Sequence, residues 1–256
     1  MTPVNLVLSG GGARGIAHLG VIKALMESGL VINAISGVSA GAICGAFHAA
    51  GYSPEDTLKI VKESKLLYLL RPSFNDGLFK SDKIGEVLRK YLAKSTFESL
   101  NIPLYVSASD ISEGHTDFFS QGDLIVPLLA SSALPVIFQP VTLDRDQLVD
   151  GGILNNLPVE PFLEDDYTLV GVHVNPWTNG VKAESAYSVM ERSIQLSIYG
   201  TVLTRKHHCD LFLEPEELKN YSMYDLDHAD KLFEIGYQFA KERLNRFMAS
   251  GHHCAR

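Results

Sequence analysis

Three short segments of this chain have the residue types and spacing to carry out acyl transfer. Gly37-Val38-Ser39-Ala40-Gly41 is a Gly-x-Ser-x-Gly run, the pattern a sharp strand-to-helix turn needs to push a serine hydroxyl into the open. Such a turn forces the serine into a strained backbone region, and side chains at Gly37 and Gly41 would collide with the adjoining strand and helix. Ser39 is therefore the candidate nucleophile. A nucleophilic serine needs a base, and Leu148-Val149-Asp150-Gly151-Gly152 delivers a carboxylate from an apolar strand end into a glycine turn. Asp-Gly is also a common turn dipeptide, so Asp150 gains weight only in combination with the other segments.

The third segment is Ser9-Gly10-Gly11-Gly12-Ala13-Arg14-Gly15, which follows the apolar Val4-Asn5-Leu6-Val7-Leu8. A helical pattern succeeds it, with Ile16, Leu19, Val21, Ile22 and Leu25 at helical spacing and Glu27-Ser28-Gly29 as the stop. A glycine-rich loop at a helix start aims unpaired backbone N–H groups at one point and so suits negative charge. Gly10-x-Gly12-x-x-Gly15 formally fits a dinucleotide fingerprint. That reading also demands an acidic residue at the end of the second strand, where Ala34-Ile35-Ser36-Gly37 offers none. The same amides could instead form an oxyanion hole for a nucleophile presented by the next strand-helix turn.

In this order the three segments resemble the patatin-like phospholipase family. Ala130-Ser131-Ser132-Ala133-Leu134-Pro135-Val136-Ile137-Phe138-Gln139-Pro140-Val141 and Asn155-Asn156-Leu157-Pro158 extend the likeness over residues 4 to about 175. The resemblance implies a three-layer α/β/α fold with a central, mostly parallel sheet, and hydrolysis of lipid acyl esters such as those of (lyso)phospholipids. It further implies a Ser-Asp dyad of Ser39 and Asp150, with the Gly10, Gly11 and Gly12 amides as oxyanion donors and no cofactor or metal. Gly15, Gly37, Gly41, Gly151 and Gly152 would support the motifs. Arg14 either holds the loop or meets a lipid phosphate. A general carboxylesterase or thioesterase, and a non-enzymatic acyl-ligand sensor that keeps the fold, are the rival functions.

A carboxylate of ordinary pKa, about 4, is a weak base that must act by position. The competing arrangement is a Ser-Asp-His triad through His173, in the alternating segment Thr168 to Val174, or through His18 behind the glycine loop. A histidine base would give a falling rate below about pH 6 to 7, whereas an ordinary aspartate would not.

These groups must be held by alternating strands and helices. Buried-strand patterns recur at Leu104 to Ala108, Leu169 to Val174 and Leu211 to Leu213, and His115 to Phe119 is expected to pair antiparallel beside Leu104 to Ala108 across Glu113-Gly114. The small residues from Ala40 to Ala50 suit a helix packed tightly under the serine, and further helices are expected at Ser81 to Tyr91, Ser188 to Arg205 and His228 to Met248. With 256 residues, 46% of them hydrophobic and 20% charged, the chain can bury one core, so a single domain is expected. It would comprise a motif-bearing part to about 175, C-terminal elements over 176–248 and a tail over 249–256.

No apolar run approaches the roughly 20 residues needed to cross a bilayer, and the start of the chain has no signal-like region, so a cytoplasmic protein is expected. The net charge of −8 opposes binding to nucleic acid and to anionic surfaces, leaving transient membrane contact to apolar residues. One candidate is Leu66 to Phe74, which reads either as a buried helix or as a lid over an acyl-chain pocket. His207-His208-Cys209-Asp210 and His252-His253-Cys254 lack the separated ligand pairs of a zinc site. Headgroup, chain length and oligomeric state are not encoded in these motifs.

Overall fold

The computed structural model describes residues 2–64, 82–92, 94, 96–135, 137–180, 182–223 and 227–249. Eight strands form one sheet. They are β1 (Thr2–Leu8), β2 (Leu30–Val38), β3 (Leu104–Asp110), β4 (His115–Phe119), β5 (Val141–Leu143), β6 (Asp146–Asp150), β7 (Thr168–Val172) and β8 (Leu211–Leu213). The order is β5-β6-β3-β2-β1-β7-β8, with β4 attached to β3. The pairs β2–β3, β1–β2, β1–β7 and β7–β8 are parallel, while β3–β4, β3–β6 and β5–β6 are antiparallel. Between β1 and β2 the register slips at Val4/Asn5, where β2 carries Asn33 as an extra residue whose Nδ2 donates to Asn5 Oδ1 at 3.0 Å.

Among the described residues seven helices accompany the sheet: α1 (Ile16–Glu27), α2 (Ala40–Ala49), α3 (Pro54–Glu63), α4 (Asp82–Tyr91), α5 (Ile125–Ser131), α6 (Ala186–Leu203) and α7 (Ala229–Ala249). Alternation along β1 sends Val4, Leu6 and Leu8 to one face and Val7 to the other. The first face meets the larger core, to which α1 to α5 and α7 all contribute. The opposite face is thinner, covered by Leu157, Val159, Phe162 and Val202 of α6. Helices thus lie on both faces as expected, in unequal depth. Leu66 to Phe74 lies outside the described residues, as does His252-His253-Cys254, so neither expectation there is addressed.

Strand β3 brings the two motif-bearing strands together. Residues 106–110 pair with β4 along one edge. The other edge takes β2 as far as Val38↔Ser107 and then β6 from Ala108↔Asp150 onward. Because β2 runs parallel to β3 and β6 antiparallel, their C-terminal ends converge at adjacent rungs of one ladder. Ser39 and Asp150, 111 positions apart in sequence, emerge side by side.

Candidate active site

At the end of β2 the chain turns through Ser39 with φ 52° and ψ −123°, one of two non-glycine residues with positive φ among the described residues. Such a conformation costs on the order of 1–3 kcal/mol and persists only where its surroundings impose it. Here they do so by close approach. A Cβ on Gly37 would lie 2.8 Å from the Ala42 nitrogen, and one on Gly41 2.4 Å from the Leu8 carbonyl oxygen. The Ser39 N–H donates to Ser131 Oγ at 2.8 Å, which ties the turn to the end of α5. Helix α2 then starts directly behind the serine.

Asp150 ends β6 almost fully buried, 6% exposed. Burial pushes its carboxyl up to about 6, against the pull of hydrogen bonds from the Ser39 hydroxyl and the Gly152 N–H. The Gly152 bond to Oδ1 measures 2.9 Å. Ser109 Oγ donates to the carbonyls of Asp150 and Gly151 at 3.1 and 3.2 Å, and the Asp150 N–H donates to Ala133 at 2.9 Å, so the turn is held from three sides. A Cβ on Gly151 would come within 2.4 Å of the Ser107 carbonyl oxygen.

The glycine loop stands over this pair, but its three amides are not equivalent. The Gly10 N–H donates to Asn156 Oδ1 at 3.0 Å, so it is already engaged and is not an open oxyanion donor. Gly11 and Gly12 have no backbone N–H partner among the described residues. Gly12 sits at φ +55°, and the short 3-10 turn Gly12–Gly15 carries the chain into α1. Asn175 Nδ2 donates to the Gly10 carbonyl at 2.7 Å, and Ser9 Oγ accepts from the Val174 N–H at 3.1 Å, anchoring the loop to the segment after β7. Arg14 Nε donates to the Tyr221 carbonyl at 2.7 Å, a loop-holding contact. Because the Gly10 N–H needs an acceptor, Asn156 must present Oδ1 to it; Nδ2 is left buried and without a partner among the described residues.

Among the described residues neither histidine is hydrogen-bonded to Ser39. His18 is fully buried with Nε2 donating to the Ser9 carbonyl at 2.8 Å, and burial lowers its pKa to about 4. His173 is fully buried and donates from Nδ1 to Glu214 Oε1 at 2.8 Å, with Phe212 stacked beside it. His18 thus holds the start of the glycine loop, while His173 ties the end of β7 to the segment after β8. His207 and His208 pack ring to ring, burial pushes the Cys209 thiol up to about 12, and Asp210 Oδ2 accepts from the Leu169 N–H. Among the described residues one group has metal-ligand spacing, Asp110, His115 and Asp117 on the β3–β4 hairpin; a 2.9 Å bond joins His115 Nε2 to Asp117 Oδ1.

The described residues leave a cleft of about 50 Å³ around Ser39 and Asp150, roofed by Gly10 to Gly12 and walled by Leu134, Phe138, Ile198 and Met223. Ser132 and Asn156 also line it. Reading the motifs missed Ser131, Ser132 and Asn156 as functional side chains, although all three lie in segments the resemblance covers.

A strained serine on a strand-helix turn thus shares a cleft with a buried carboxylate and the glycine loop on an α/β sheet. The model of the family described as patatin-like phospholipase matches residues 6–163, and the chain belongs to that family. An uncharacterized NTE family protein of Mycobacterium tuberculosis is 40% identical over 161 residues, which cover 62% of this chain and 45% of that one. Lysophospholipase NTE1 of Meyerozyma guilliermondii is 25% identical over 295 residues, covering 97% of this chain and 20% of the yeast protein. This chain therefore spans under half the length of these relatives. The crystal structure of VipD from Legionella pneumophila superposes with a TM-score of 0.55 at 15% identity, covering 96% of this chain and 67% of VipD, and so shares its fold. No helix among the described residues is long and apolar enough to cross a membrane.

Proposed function

We propose that this protein is a serine lipid acyl hydrolase that cleaves carboxylic esters of lysophospholipids or related acyl lipids through Ser39 and Asp150. The observation that carries the reading is the placement of Ser39, held in positive φ, in one cleft with the buried Asp150 carboxyl. Asp150 accepts the Ser39 proton as Oγ attacks the ester carbonyl, and the negative charge develops on the carbonyl oxygen beneath the Gly11 and Gly12 N–H groups. Collapse expels the alcohol, which takes the proton from Asp150 and leaves an acyl-serine. Water then attacks the acyl-serine, giving its proton to Asp150, and the fatty acid departs as Ser39 Oγ recovers that proton.

The raised pKa of Asp150 supports this role, since a carboxylate near 6 is a better base than an ordinary one yet remains ionised at neutral pH. A fold retained only to sense an acyl ligand has no use for a strained serine facing a buried charge, both of which destabilise it. The lysophospholipase name of the yeast relative points the same way. For contact with a lipid surface, α6 offers Val189, Leu196 and Leu203, exposed at seven-residue spacing on one side of the helix. The test is a fluorophosphonate probe with turnover on p-nitrophenyl esters and lysophospholipids. Ser39 alone should label, and Ser39→Ala should abolish both signals; labelling elsewhere or turnover by the variant would refute the assignment.

A further inference from the structure

A second concavity adjoins the Ser39 cleft, encloses about 290 Å³ and is lined by Arg14, Lys182, Arg192 and Lys219 with no carboxylate among its described lining residues. In a chain of net charge −8 this is a marked segregation of positive charge. Two of the cations are positioned in advance. Arg192 lies over the Trp177 ring with its guanidinium carbon 3.6 Å from the centroid, donates to Gln195 Oε1 at 3.1 Å and also bonds the Thr178 carbonyl. Arg14 is fixed by the Tyr221 carbonyl. A guanidinium ordered before its ligand arrives loses little further entropy on binding. The two lysines are available. Lys182 has no ion pair among the described residues, and the 3.6 Å contact of Lys219 with the exposed Glu216 is the kind that contributes little. Ser188, in the first turn of α6, also lines the basin, so that helix adds the positive end of its dipole.

Met223 lines both concavities, and its carbonyl accepts the Ala13 N–H at 2.8 Å, between Gly12 in the cleft and Arg14 in the basin. A single residue thus separates the candidate oxyanion loop from the cations. In a glycerophospholipid, a short glycerol unit likewise separates the scissile ester from the phosphate.

Resting on the acyl-hydrolase reading above, we propose that this basin is a headgroup subsite for the phosphate of a net-anionic phospholipid or lysophospholipid whose ester lies at Ser39. A choline headgroup is disfavoured there: the described lining has no carboxylate, and the nearby Trp177 face is already occupied by Arg192. Arg192, Lys182 and Lys219 would determine specificity while Arg14 remains a loop anchor.

The experiment compares lysophosphatidylglycerol, lysophosphatidylcholine and a neutral p-nitrophenyl ester, using wild type and Lys182→Gln/Lys219→Gln. Wild type should favour the anionic lipid over the choline lipid by about ten-fold in kcat/KM, and the double variant should lose that preference through KM. Its rate on the neutral ester should stay within about two-fold. Inorganic phosphate should compete with the anionic lipid and leave the neutral ester untouched. Equal wild-type rates on both lipids, or a loss shared by the neutral ester, would overturn the proposal. Phosphate acting equally on the neutral ester would overturn it in favour of a free-anion effector site. If no ester is turned over and no serine labels, the acyl-hydrolase reading fails instead; calorimetric binding of monomeric lysophosphatidylglycerol to wild type and the double variant then decides the subsite separately.

Discussion

The two concavities that meet at Met223 differ in almost every physical respect. The Ser39 cleft is narrow and walled by Leu134, Phe138 and Ile198, whereas its neighbour is more than five times larger and edged with cations. Desolvation that holds the Asp150 carboxyl near 6 requires the first kind of surroundings, and a hydrated phosphate tolerates the second. The same narrowness has a consequence for turnover. Ligand pockets typically measure about 300–1,000 Å³, so the cleft of about 50 Å³ that the described residues leave is too small for an acyl chain as it stands. Proton transfer and substrate admission therefore depend on different features of one site.

The comparison would fail most visibly at Asp150. Asp150→Asn keeps the acceptor for the Gly152 N–H but cannot take the serine proton, so kcat should fall about 10⁴-fold on every ester. Stability should move the opposite way. Folding raises this carboxyl from 3.8 to about 6, so the folded chain binds the proton more tightly than the unfolded one. That contribution is complete below about pH 4 and is lost as pH rises through about 6; at pH 8 the charge costs the fold on the order of 3 kcal/mol. Thermal melts should show Asp150→Asn more stable than wild type at pH 8, with the gain vanishing near pH 4. A variant that is less stable at pH 8 would mean the carboxylate is not desolvated.

Activity should rise with pH through an apparent pKa near 6, as Asp150 ionises. The ordinary aspartate assumed from sequence would have placed that limb lower and so separated it from a histidine base. With the raised value the profile alone no longer does, and mutants must. His18→Ala and His173→Ala, where folded, should keep most turnover, because the rings bond the Ser9 carbonyl and Glu214.

Next in size is Asn156→Asp. It preserves the acceptor for Gly10 but replaces the buried Nδ2 donor beside the cleft with an oxygen, and kcat should drop about 10² with KM little changed. Equal losses in binding and turnover would assign Asn156 to substrate contact. The smallest effect concerns strain: Ser39→Gly should be more stable than Ser39→Ala by about 1 kcal/mol in denaturant melts, since glycine takes positive φ without penalty.

Much of this arrangement was legible in the residues. The elbow, the Asp-Gly-Gly turn and the β3–β4 hairpin across Gly114 carry turn chemistry that local sequence encodes, and helices α6 and α7 fall within two residues of the spans read from periodicity. Helix α3 was missed despite Ser53, whose Oγ caps Asp56, and Pro54 at the first turn. The start of strand β2 gives no clear pattern, because the Asn33 bulge breaks its alternation. The engagement of the Gly10 amide could not be read at all: its partner Asn156 is 146 residues away, and only the convergence of β2 and β6 on β3 brings that segment under the loop. Asp150 gave a turn motif, but its elevated pKa arises from burial by distant elements.

The junction on β3 also makes the chain divisible. Gly114, at φ +77° in the exposed β3–β4 turn and with nothing near its Cβ position, falls between the nucleophile and its partner carboxylate. Opening the backbone there would leave the serine and glycine loop on one piece and the aspartate on the other. Each piece would be chemically silent, and ester cleavage would report their reassembly, making the hairpin tip a natural position for a split-protein sensor.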